Sequence, residues 1–430
     1  MKSSFFVDVG LLRRNPLFCH VFVARSISLL SLGMLAVAIP FQVYQLGGDS
    51  VSVGLAMALE GGGMFVGLLW GGVLADRRDR RGLILFARSA CGLGFVGLAL
   101  NAALPAPTLW AVYVLAVWDG FFGALGVTAL LAAMPHIVGR EQLMQARALS
   151  MLSMRLATVL SPALGGLLIA AQGVTVNYLV AALGTGLTLL PLLRLPVMRP
   201  AQPDHSHPLR ALYAGVCYLG QNRVVLGVVL VGTLVTLTTG IRVLFPALAE
   251  AHGGSAATLG LMYSAVPLGA TLGALTSGWA EGLRRPGLVM QLCGLGAFAC
   301  LAGLGLVEQL ALVLPLLAGF GYLVSIAGLL QYALVQRHTP DHYLGRVNGL
   351  WNAQEALGDS VATVGIGLLA APLGALGSMA ALGLGALALG LLALVGLPAL
   401  RAPEGPSDPD PLPEGAVEEP PALADAPGGP

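Results

Sequence analysis

This 430-residue chain has little charge: only 10% of its residues are Asp, Glu, Lys or Arg, against roughly a quarter in an ordinary water-soluble domain. So few charges could not cover the surface of a soluble fold of this length, which excludes that class. The five cysteines (Cys19, Cys91, Cys217, Cys293 and Cys300) are scattered, four of them in predicted apolar helices, and have neither metal-ligand nor redox spacing. They read as small apolar side chains, and no metal is expected. Period-two alternation is missing, which excludes a membrane β-barrel. H-E-x-x-H, G-x-S-x-G and the phosphate-cradling G-x-x-x-x-G-K-[ST] are absent too, and no soluble domain is left to carry chemistry. The expectation is therefore no enzyme, no cofactor, no ATP-driven pump and no membrane-embedded receptor. Nucleic-acid binding has no basic folded segment to rest on. The first apolar stretch is too long for a cleavable secretion signal, and no small-residue cleavage site closes a short core.

What the chain does have is long apolar windows. A bilayer crossing takes about 20 helical residues, and twelve windows qualify: 18–45, 51–75, 82–103, 108–134, 146–170, 176–195, 224–248, 257–280, 287–307, 309–334, 347–371 and 375–399. This predicts an all-α membrane protein of twelve transmembrane helices. The bases are unevenly distributed between their connections. Lys2, Arg13 and Arg14 precede the first helix, and Arg77, Arg78, Arg80, Arg81, Arg140, Arg147, Arg194, Arg199, Arg210, Arg223, Arg284, Arg285, Arg337 and Arg346 belong to even-numbered connections. The odd-numbered ones carry only Asp49, Glu250, His252 and Glu308. Bases stay in the cytoplasm, so both termini are expected there.

The second half repeats the first. Gly54, Gly63, Gly67 and Gly72 match Gly260, Gly269, Gly273 and Gly278 at one offset, and Leu143, Leu149 and Gly166 match Leu344, Leu350 and Gly367 at another. Two parallel six-helix bundles around a central cavity follow, with alternating access as their mode of action. The expected division is an N-terminal half 1–195, a cytoplasmic linker 196–222, a C-terminal half 223–400 and a Pro-rich tail 401–430. From Ala402 onward it holds seven acids and no base, so disorder is expected. Without it the membrane body is strongly basic, which suits contact with anionic lipid.

Ionisable groups inside membrane helices need a partner or a wet cavity. The candidates are Arg25, Glu60, Asp119, Arg155, Arg242, Glu355 and Asp359; Arg88 and Glu281 lie near enough to helix ends to snorkel and are set aside. Asn348, Asn352, Glu355, Asp359 and Thr363 share one face of helix 11 by their spacing of three and four. That stripe could line the substrate path, carry a titrating carboxylate, or make an inter-half contact satisfied by Arg155 or backbone groups. Asp119, beside Trp118, Phe121 and Phe122, could pair with Arg25 as a clamp or form a substrate or proton site. Arg242 is the cationic counterpart in helix 7, or a buried arginine held by carbonyls near Pro246.

The segment Gly72-Val73-Leu74-Ala75-Asp76-Arg77-Arg78-Asp79-Arg80-Arg81 joins two apolar windows and resembles the G-x-L-A-D-R-x-x-R-R/K signature of the major facilitator superfamily. In that superfamily the residue at Asp76 helps close the cytoplasmic gate near the N-terminal end of helix 11, the one at Arg80 orients it, and helices 1, 4, 7 and 10 line the cavity. Asp79 replaces the motif's usual glycine. Ser161-Pro162-Ala163-Leu164-Gly165-Gly166 resembles the exporter motif G-P-x-x-G-G, with Ser161 in place of its first glycine. Trp118-Asp119-Gly120-Phe121-Phe122, Gly273–Gly278 and Leu344–Trp351 are similar to the catecholate-siderophore exporters of Gram-negative inner membranes, a resemblance running over roughly 8–400. It implies export of an enterobactin-like small molecule to the periplasm, with protons as coupling ion. It also implies that Arg25, Asp119, Arg155, Arg242 and Asp359 stand at charged positions of the pattern, while Glu60 and Glu355 depart from it. Trp118, Phe122 and Phe41 could then stack on catechol rings while Arg25 or Arg242 meets their oxygens. A drug exporter of the same superfamily is the alternative reading.

Overall fold

The computed structural model describes residues 10–139, 141–198, 223–280, 282–307, 309–339 and 341–403. The linker and tail expected at 196–222 and 401–430 lie almost wholly outside these residues, as does Glu281. No strand occurs among the described residues. A short helix, Gly10–Arg14, leads into α1 (Pro16–Gly47), and α2 (Ser50–Arg77), α3 (Arg80–Ala103), α4 (Leu109–Val138), α5 (Leu143–Gln172) and α6 (Val174–Leu192) follow. Beyond the linker comes α7 (Arg223–Thr239), which passes through a 3-10 turn, Gly240–Leu244, into the short helix Phe245–Ala251. Then follow α8 (Ala256–Leu275), α9 (Pro286–Leu304) and α10 (Leu310–His338).

The last 56 residues of helix, Asp341–Gly396, are broken at Gly374, whose φ of 68° lies in the left-handed region. A residue with a Cβ is strained there, so glycine makes the turn. It divides the segment into α11 (341–373) and α12 (375–396), close to the windows expected from composition. Eleven spans among the described residues are long and apolar enough to cross a membrane when Gly358–Gly396 counts as one; the Gly374 break makes twelve helices. The chain is a multi-pass membrane protein.

The termini of these helices are set by local chemistry. Asn15 caps α1 by accepting from the Phe18 amide at 3.0 Å, and Asp49 caps α2 by accepting from Ser52 at 2.7 Å. Such caps satisfy amides that have no intrahelical partner.

Packing differs between the two ends of the molecule. At the end away from the basic loops, one apolar core draws on both sets of six helices: Leu35, Val43, Phe95 and Tyr178 join Phe245, Leu259, Phe320 and Ile366. At the end with the basic loops there are two separate cores. One contains Phe18, Ile84, Leu130 and Leu149 of α1–α6; the other contains Val228, Met290, Leu330 and Val347 of α7–α12. The joined end is tight because glycines meet there. A Cβ on Gly166 of α5 would lie 2.5 Å from the Ala256 carbonyl of α8, and one on Gly260 of α8 would lie 2.5 Å from the Pro162 carbonyl of α5. Small residues allow helix axes this close in a membrane. Tyr44 at the end of α1 also reaches across, donating to Glu250 Oε2 at 2.5 Å.

Candidate functional site

Where the shared core ends, a cavity of about 430 Å³ lies between the two sets of helices. Leu32 and Gly33 of α1 and Ser161 and Pro162 of α5 form one wall; Arg242, Phe245, Tyr263 and Phe320 face them. Helices 1, 7 and 10 line it as the resemblance implies, but α5 and α8 take the place expected of α4. The reason is packing: α4 is pressed against α2, where a Cβ on Gly63 would collide with the Val117 carbonyl and one on Gly67 with the Phe121 carbonyl. The exporter-like segment of α5 forms part of this wall. Ser161 is fully buried, donates to the Ala157 carbonyl at 2.5 Å and packs against Gly33.

Arg242 is the charge in this cavity. Its backbone lies in the 3-10 turn that interrupts the seventh span, and its carbonyl accepts from Tyr263 Oη at 2.9 Å. Its guanidinium forms an ion pair with Asp359 of α11. Glu60 of α2 stands within electrostatic reach of both, from the opposite set of helices. Just beside it, a Cβ on Gly61 would meet Ser360 Oγ of α11 at 2.8 Å. The partner expected for the α11 stripe, Arg155, is half-buried on α5 and is absent from the ion pairs among the described residues. Glu355 is exposed into a second cavity, of about 330 Å³, between α7, α10 and α11. The side chains of Asn348 and Asn352 lie outside the described residues.

The N-terminal charges are arranged differently from expectation. Asp119 is 5% exposed, and the charged groups within its electrostatic reach are Glu60 and Arg88. Arg88, set aside as a snorkelling side chain, is 7% exposed and donates to Ser28 Oγ at 2.5 Å. It points into the bundle, so the cation near Asp119 is Arg88, while Arg25 is a neighbour of Arg88. Trp118 and Phe122 do not reach the Arg242 cavity. They contact each other at 4.6 Å between ring centres and line a separate groove of about 680 Å³ between α2 and α4. The Trp118 indole donates to the Ala90 carbonyl of α3 at 2.8 Å.

In the gate motif, Arg80 donates to the Ala132 carbonyl of α4 at 2.9 Å and to the Ala75 carbonyl of α2 at 3.3 Å, while Arg81 donates to the Leu193 carbonyl past α6 at 2.7 Å. Arg77 is exposed, Gly72 faces open space, and the side chain of Asp76 lies outside the described residues. Asp79, which replaces the usual glycine, caps α3 by accepting from Gly82 at 2.9 Å and also accepts from the Met198 amide at 2.7 Å. Partial burial pushes its carboxyl up, but the amides of Met198, Gly82 and Arg81 and the Arg81 charge outweigh that and hold it below the ordinary aspartate range. The spacing of an Asp three residues before the Gly82 amide was the signal for this cap. For Arg88, burial at that depth had no sequence signal.

Comparison with known proteins fits this geometry. The sequence model described as Major Facilitator Superfamily matches residues 21–363. The chain is 50% identical over 400 residues to the enterobactin exporters EntS of Escherichia coli O1:K1 / APEC and of Shigella boydii serotype 18, covering 93% of this chain and 96% of each relative. Among solved structures, the nucleoside transporter NupG matches with a TM-score of 0.67 at 13% identity, covering 89% of this chain and 98% of that one. A bacterial homologue of the human lysosomal transporter Spinster, in an inward-facing and unoccupied conformation, matches with a TM-score of 0.68 at 14% identity, covering 93% and 100%. At such identities these two establish the fold alone. Twelve membrane helices, a cavity between two six-helix sets, the gate signature and a family match over most of the length lead to one conclusion: this chain is a transporter protein, not an enzyme, and belongs to the major facilitator superfamily.

Proposed function

We propose that this chain exports a catecholate siderophore of the enterobactin kind across the inner membrane, from cytoplasm to periplasm, by alternating access in exchange for protons. The observation that carries the reading is the 50% identity, sustained over 93% of the chain, to proteins named enterobactin exporters. The packing supports the mode of action. One core joins the halves at the end away from the basic loops, and two separate cores face each other at the basic end. With bases on the cytoplasmic side, the cavity opens to the cytoplasm, ready to receive a molecule made there. Residues 1–195 and 223–400 then rock as two bodies about the cavity, joined by 196–222, while the tail 401–430 stays in the cytoplasm.

The charges have separate tasks in this cycle. Arg242 offers donors to substrate oxygens from the cavity wall, while Asp359 and Glu60 offer acceptors and proton sites on either side of it. Arg25, Asp119 and Arg155 belong to the N-terminal body. The mostly apolar wall of the cavity favours a second reading, a broad exporter of lipophilic drugs. Deleting the gene in iron-starved cells and measuring siderophore in medium and cytoplasm by mass spectrometry separates the two. Secretion lost on deletion and restored by the wild-type gene supports siderophore export. Normal secretion with new sensitivity to unrelated drugs replaces it with the second reading.

A further inference from the structure

The second cavity, between α7, α10 and α11, has a chemistry of its own. Trp351, Glu355 and Asp359 follow one another at intervals of four on α11, so one helical face gives it an aromatic ring and two carboxylates. Gln331 of α10 is 6% exposed and lines the same space; its amide donates to the Val228 carbonyl at 3.5 Å, while its carbonyl oxygen accepts no hydrogen bond among the described residues. Thr239 and Arg242 line both this cavity and the larger one, so the two adjoin. The volume of about 330 Å³ suits one ring rather than a whole multi-armed molecule.

From the export reading, on which this inference rests, we infer that the pocket binds one dihydroxyaromatic arm of the exported molecule while its body occupies the larger cavity. Trp351 covers the ring face, as aromatic side chains do. Two adjacent hydroxyls donate to the paired oxygens of one carboxylate, Glu355 or Asp359, and charge-assisted bonds of this kind are among the stronger ones. Arg242 fixes Asp359 from the 3-10 turn after α7 and faces the oxygens of the molecule's body. The Gln331 carbonyl supplies a further acceptor. Acceptors outnumber donors here, so the site favours a ligand that brings its own O–H groups.

A proton and the ring hydroxyls compete for these carboxylate oxygens, because a protonated carboxyl offers less to accept with. The charged and titratable groups facing this place are Arg242 from the 3-10 turn after α7, Glu355 and Asp359 from α11, Glu60 from α2 and Tyr263 from α8 through the Arg242 carbonyl.

The test uses the purified full-length chain in nanodiscs with 2,3-dihydroxybenzamide as a neutral single-ring probe and 2,3-dimethoxybenzamide as its donor-free control. Calorimetry should show binding of the dihydroxy probe only. Glu355→Gln combined with Asp359→Asn should weaken it about tenfold or more, the scale of a lost charged hydrogen bond. Trp351→Ala should weaken it and Trp351→Phe should largely restore it. Wild-type affinity should fall as the solution is acidified, and the double variant should lose that dependence. Gln331→Met, which leaves the Arg242–Asp359 pair intact, should also weaken binding and guards against misfolding of the carboxylate variants. Equal binding of the dimethoxy control, absence of dihydroxy binding, or affinity untouched by these substitutions would overturn the assignment. Cellular secretion tests the export reading separately, so either can fail while the other stands.

Discussion

The two halves of this molecule handle their membrane charges in opposite ways. In α1–α6, Arg88 and Asp119 are sealed inside the bundle, 7% and 5% exposed, with Arg88 donating to Ser28. In α7–α12, the Arg242 and Asp359 side chains pair while remaining 41% and 34% exposed, and both border open space. The repeat gives both halves the same plan, so the difference lies in what surrounds the charges. Sealed charges have no room for a ligand. An open pair keeps lone pairs and donors within reach of one. We place the recognition chemistry in the C-terminal half and treat the N-terminal half as its rigid counterpart.

Four substitutions break or sharpen that contrast, in decreasing order of expected effect. Asp119→Ala removes a buried acid within electrostatic reach of the buried Arg88 guanidinium and should cost about 3 kcal/mol, read as a lower Tm of the purified protein and reduced membrane abundance. Arg242→Ala, at the open pair, should leave abundance near normal and cut siderophore export about tenfold or more, the loss expected of a charged hydrogen bond. If Arg242→Ala instead matched Asp119→Ala in abundance, the contrast would be lost. Gly166→Ala, at the seam between the halves, should cost about 1–3 kcal/mol through overpacking against the Ala256 carbonyl and lower export with a smaller change in Tm than Asp119→Ala.

The smallest effect is at the loop. Asp79→Ala should cost about 1 kcal/mol at neutral pH, the usual value of an N-cap. Because the folded carboxyl lies below its ordinary range, its contribution is present above the unfolded value and is lost as pH falls through the folded one. The Tm gap between wild type and Asp79→Ala should therefore be constant near neutrality and close in strong acid.

Much of this architecture was legible in the sequence. Apolar windows are long in a membrane protein because backbone groups must pair within a helix, so the twelve helices could be read from composition. The Asp359 and Glu355 face of α11 was legible as well, since a three-and-four spacing defines a side whatever the tertiary context. Partners were not. Arg88 counts as close to a helix end along the chain, yet its side chain runs inward to Ser28, and distance along a helix does not report direction across it. Trp118 adjoins Asp119 in sequence, but neighbours on a helix point about 100° apart, so the acid is buried in the bundle while the indole turns to the α2–α4 groove. Trp351, one position from the polar stripe of α11, was visible in the sequence but had no cavity to belong to until α7 and α10 were placed beside it.

One glycine has mechanical consequences. Gly173, with a φ of 85°, ends α5 and begins α6 without any intervening loop. A one-residue joint has almost no slack, so a displacement of α5 against α8 is handed to α6 undamped. Helix α6 is 19 residues long, a rod of about 28 Å at 1.5 Å per residue. Its far end is fastened to the basic loop, through Arg81 on the Leu193 carbonyl and Asp79 on the Met198 amide. The helix is thus a connecting rod, hinged at one face of the membrane and latched at the other, that makes the position of the basic loop answer to the fit of two glycines on the opposite side.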